Sequence, residues 1–128
     1  MFRLDGKVAL MSGAGRGMGF GVAQTLASQG ASVIIISDFF ADRAEAAAIG
    51  FIRKLSGEVG RHGITANALS LGTMNNWEGS EQIARKSASV GRAGSPQDVG
   101  AAVAYLASPE AEWVNGQVLP VNGGSLVC

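Results

Sequence analysis

The sequence predicts an α/β protein built on a doubly wound parallel sheet of about four strands. Three observations carry this. Short β-branched, uncharged runs alternate with stretches of helical periodicity, the pattern of parallel βαβ units. The nineteen glycines cluster where one element ends and the next begins, which marks tight turns rather than low complexity. No repeat and no interdomain linker interrupts the alternation. Residues 1–128 therefore read as a single domain, long enough to bury a real core.

"KVALMSG" (Lys7–Gly13) is a short apolar run closed by glycine and reads as a buried parallel strand. Residues 17–29 have helical spacing, with Phe20, Val22, Ala23, Leu26 and Ala27 on one face and Gly30 as the stop. "SVIIIS" (Ser32–Ser37) is a second buried strand. From Asp42 a helix runs for about twenty residues. Ala44, Ala48, Phe51, Leu55 and Val59 form its apolar stripe, and Gly60 and Gly63 end it. "ITANALSLG" (Ile64–Gly72) is a third strand. Residues 73–95 are polar and rich in Gly and Ser, with a short helix near Glu81–Ser87. Ser95, Pro96 and Asp98 spell a helix start, with Ser95 as N-cap, and that helix runs to about Ala107. "GQVLPVNGG" (Gly116–Gly124) is the last strand, where Pro120 limits pairing.

Ten basic and ten acidic residues balance, which gives no footing for nucleic acid or an anionic membrane surface. The one cysteine, Cys128, excludes a disulfide framework and a thiolate metal cluster and points to a reducing, cytoplasmic setting. "MFRLDGKVALMSG" has no long apolar run after its basic residues, so no signal peptide is expected. "ASVIIIS" is too short to span a bilayer.

The chemistry begins at Gly13-Ala-Gly-Arg-Gly-Met-Gly19, between a predicted strand and a predicted helix. Glycines there let the backbone turn tightly and approach a pyrophosphate, and the helix N-terminus offers free N–H groups and partial positive charge. Asp38 follows the next strand, where a carboxylate can accept both ribose hydroxyls of an adenosine. The candidate dinucleotide contacts in this half are Ser12, Gly13, Gly15, Arg16, Gly17, Met18, Gly19 and Asp38. Asp38 favours NAD(H), because a 2′-phosphate would meet its charge; Arg16 argues the other way.

These residues resemble the short-chain dehydrogenase/reductase family, whose Thr-Gly-x-x-x-Gly-x-Gly loop is matched with Ser12 in place of the Thr and Gly13, Gly17 and Gly19 as the glycines. "GFIRKLSGEVGRHGITANALSLG" is similar to the helix and strand after that family's catalytic segment. "GRAGSPQDVGAAVAYLASPEAEWVNGQVLPVNGG" is similar to its closing helix and last strand. The resemblance covers nearly the whole chain. It implies a Rossmann-like fold, hydride transfer between a nicotinamide and an alcohol/carbonyl pair, and nicotinamide-side contacts from Leu71 and Gly72, which stand where the family has Pro-Gly.

The resemblance also exposes an internal gap near residues 40–50. The family's Asn-Asn-Ala-Gly stretch, catalytic Ser and Tyr-x-x-x-Lys pair have no counterpart. Alignment puts Ala41 at the Tyr position and Glu45 at the Lys position, and neither can do that chemistry. The only tyrosine, Tyr105, reads as a structural residue of the closing helix. His62 reads as a helix-end cap rather than a base. Lys7, Lys54 and Lys86 match no catalytic position. No residue of the chain is thus a catalytic candidate, and none a metal ligand.

Either the middle segment is absent from the protein or it exists outside this sequence. If the chain is continuous, its second long helix can cross to the opposite face and set the third strand beside the first. That gives sheet order 2-1-3-4, with the topological switch point at the end of the first strand. Three functional readings follow: an NAD-dependent oxidoreductase whose catalytic segment lies elsewhere, a non-catalytic dinucleotide-binding module, or a structural dimer without cofactor. The helix 42–61, with Ala44, Ala47, Ala48 and Gly50, corresponds in part to a family helix that packs on its own copy, so a homodimer or homotetramer is expected. The 73–95 segment, with Met74 and Trp77, leaves the substrate unread.

Overall fold

The computed structural model describes residues 3–12, 22, 25–37 and 42–125. Among these, β1 (Val8–Ser12), β2 (Ser32–Ser37), β3 (Ala66–Leu71) and β4 (Val118–Val121) form one parallel sheet. Three helices accompany it: α1 (Asp42–Val59), α2 (Ser80–Ser87) and α3 (Pro96–Ala107). Residues 22 and 25–28 are helical as well. Each strand lies inside the run that predicts it, and the α/β class with a parallel sheet holds.

The strand order differs from the expected 2-1-3-4. It is β1-β2-β3-β4, so β3 lies beside β2 and not beside β1. The reason is the face that α1 occupies. Phe51, Ile52, Leu55 and Val59 of α1 share one buried cluster with Ala27 and Leu26 of the preceding helical turn, over Ala9, Met11, Ala66, Ala68 and Val118 of the sheet. Two successive crossovers on one face, with one hand, must step in one direction across the sheet. Had α1 packed on the other face, the same hand would have brought β3 back to β1.

The opposite face is covered by α3. Val99, Ala102, Val103 and Leu106 pack with Leu69, Leu71, Leu119 and Val121. The alternation of Ala66 and Ala68 to one face and Leu69 and Leu71 to the other (across a strand of period two) divides the core into these halves. The connection from β3 to β4 therefore has the opposite hand to the two before it.

Two asparagines fix the sheet's N-terminal side. Asn67, 1% exposed, donates from Nδ2 to the Val114 carbonyl at 2.9 Å and accepts the Gln117 N–H at 3.0 Å. Asn115 accepts the Ala66 N–H at 3.0 Å and donates to the Ser56 carbonyl of α1 at 3.1 Å. Both side chains satisfy backbone groups where β3 and β4 begin, beyond the reach of the strand ladder. No helix among the described residues is long and apolar enough to cross a membrane.

Candidate functional site

A parallel sheet sends every strand's C-terminal end to one edge, and the loops leaving that edge build the site of an open α/β protein. Ser12 of β1 pairs with Ile36 of β2, Ile36 with Leu69 of β3, and Leu71 with Val121 of β4. The loops after β1 and β2 lead to helical residues on one face, and the chain after β3 runs through α2 to α3 on the other. The switch point therefore lies between β2 and β3, beside Ser37 and Ser70, rather than at the end of β1 as expected from the sequence. The changed strand order moves it.

Of the predicted cofactor contacts, Ser12 is the last residue of β1, at this edge. Gly13, Gly15, Arg16, Gly17, Met18, Gly19 and Asp38 lie outside the described residues. Residue 13 leaves β1 and residue 38 leaves β2, which are neighbours in the sheet. Adjacent strands sit about 4.8 Å apart.

Leu71 and Gly72 reach the same edge, at the end of β3. The Leu71 side chain packs toward α3 and lines a cavity of about 410 Å³ with Met74, Asn75, Pro96, Val99 and Val103. Gly72 donates its N–H to the Val121 carbonyl at 3.1 Å. A Cβ on Gly72 would stand 2.7 Å from Asn122 Cα, so the glycine is required by the close approach of the chain after β4. Sequence reasoning assigned both residues to a nicotinamide, and this packing is a sufficient reason for the glycine by itself.

A second cleft, about 530 Å³, opens at the same edge beyond β4 and is lined by Thr73, Ser89, Val90, Arg92, Asp98 and Asn122 among others. Its polar wall is the start of α3. Ser95 and Asp98 form a complete capping box, with Pro96 in the first turn as the sequence predicts. Arg92 adds what the sequence does not announce. Its guanidinium forks onto Asp98, Nη1 to Oδ2 at 2.7 Å and Nη2 to Oδ1 at 2.9 Å, while Nη1 also donates to the Ala93 carbonyl at 2.9 Å. The Arg92 hydrogen bonds, followed by those from the Ser95 N–H and hydroxyl, hold the Asp98 carboxyl well below the usual carboxylate range. The only advance signal was Asp98 at the third helical position. Nothing in the sequence spacing selected Arg92 as its partner.

The remaining titratable residues assemble no acid–base pair among the described residues. Tyr105 is exposed on α3, and its carbonyl accepts from Ser108 Oγ at 2.6 Å. His62 lies in the 3-10 turn Gly60–His62, before β3 and so at the opposite edge of the sheet. Its Nε2 accepts from Arg61 Nε at 3.2 Å. It does not cap the helix end as expected: Gly63, at φ 72°, does so through its N–H to the Gly60 carbonyl. Lys54 pairs with Glu58 on the outer surface of α1. No cluster of three potential metal ligands occurs among the described residues.

Comparison with known proteins adds to this geometry. A family model described as enoyl-(acyl carrier protein) reductase matches residues 39–125. The 3-oxoacyl-[acyl-carrier-protein] reductase FabG of Vibrio cholerae serotype O1 is 37% identical over 89 residues, which cover 63% of this chain and 36% of that protein. The short-chain reductase protein NovJ of Streptomyces niveus is 36% identical over 94 residues, with the same coverage. The chain thus spans about a third of the length of these curated relatives. Two solved structures share the fold. YwfH, described as an NADPH-dependent reductase involved in bacilysin biosynthesis, has a TM-score of 0.70 at 24% identity and covers 86% of this chain and 53% of its own. The angucycline C-6 ketoreductase LanV with bound NADP has a TM-score of 0.72 at 20% identity and covers 84% and 49%.

Proposed function

This chain belongs to the short-chain dehydrogenase/reductase family, and from that membership we propose that it is the dinucleotide-holding part of an oxidoreductase that moves hydride between a nicotinamide and an alcohol/carbonyl pair. The observation that carries the reading is the pairing of Ser12 with Ile36. It starts the glycine run and the Asp38 segment from adjacent strands at one edge of the sheet, the arrangement a pyrophosphate and its ribose need. The 128 residues contain no Tyr-x-x-x-Lys pair. Proton transfer to the carbonyl oxygen therefore falls to groups outside them, and these residues alone act as a binding module. A cytoplasmic location belongs to the same proposal and rests on the single cysteine.

NAD(H) is the proposed cofactor, because the Asp38 carboxylate would repel a 2′-phosphate. A second reading, NADP(H), has Arg16 behind it and the names of two solved relatives, one NADPH-dependent and one with bound NADP. At 24% and 20% identity those relatives share the fold, and Asp38 is a residue of this chain, so it weighs more. Calorimetric titration of mass-verified polypeptide with NAD⁺ and NADP⁺ decides between them. NAD⁺ is expected to bind more tightly, and the reverse order overturns the assignment.

A further inference from the structure

We draw no further inference here: the strongest candidate, the cleft of about 650 Å³ at the N-terminal edge of the sheet between residues 63–65 and 108–115, points to no ligand, because its amide side chain, Asn115, is already engaged with the Ala66 N–H and the Ser56 carbonyl and nothing in the structure shows what covers the exposed Trp113 beside it.

Discussion

Asp98 concentrates more interactions than any other charged side chain among the described residues, and the sign of its pH dependence follows. Hydrogen bonds from Arg92 and Ser95 depress its folded pKa below the unfolded value of about 3.9. A group depressed on folding contributes stability that is fully present above the unfolded pKa and is lost as pH falls through the folded one. Asp98→Asn should therefore lower Tm at neutral pH, and thermal melts of the two proteins should converge as pH drops below the ordinary carboxylate range. A gap that persists unchanged in strong acid would assign the effect to shape rather than charge. Ser95→Ala removes the other half of the box and should cost about 1 kcal/mol, or about 4 °C in Tm. Gly72→Ala forces a Cβ against the Asn122 backbone. The overpacked contact is expected to cost about 1–3 kcal/mol by chemical denaturation, whether or not a dinucleotide is bound.

At the scale of the element, α1 and β3 decide the architecture. The Ile52 side chain is fully buried between α1 and the sheet, and Ile52→Ala should cost about 2–5 kcal/mol in urea unfolding. Asn67→Leu leaves the Val114 carbonyl and the Gln117 N–H without their partner and should cost about 2–4 kcal/mol. Neither residue stands out in the sequence. The spacing of Phe51, Leu55 and Val59 located the stripe of α1, but the buried face is wider and takes in Ile52 and Ser56. Strand and helix positions were legible because each is written in local periodicity and caps: Ser95 and Asp98 started α3 where the structure starts it. The sheet order was not legible. An amphipathic stripe states that a helix will bury one face, and it carries no statement of which side of the sheet will receive it. That single choice, made by α1 joining Ala27 and Leu26, set β3 beside β2 and moved the switch point.

For the whole molecule, the sequence named the residue types proposed for the site, and of these the structure describes Ser12, Leu71 and Gly72. Ser12 stands at the expected edge, while Leu71 and Gly72 are held by α3 and β4 packing, and only their close approach in three dimensions could reveal that. The consequence is a specific binding order. The contacts proposed for this chain, residues 12–19 and Asp38, serve the pyrophosphate and the adenosine ribose. The Tyr and Lys that the family resemblance assigns to the nicotinamide side are missing from these 128 residues. A hydrogen bond from a charged donor is worth roughly 1.5–3 kcal/mol, or about one to two decades of affinity. General acid–base help is worth about 10²–10⁴-fold in rate, and positioning of the nicotinamide is lost with it. The mass-verified polypeptide should thus show no dehydrogenase turnover and should bind ADP-ribose about as well as NAD⁺, both weakly. Calorimetry with the two ligands reads this directly. NAD⁺ binding tenfold tighter than ADP-ribose would require a nicotinamide pocket, and turnover that tracks the purified chain and vanishes with Asp38→Ala would require a proton donor among residues not assigned one.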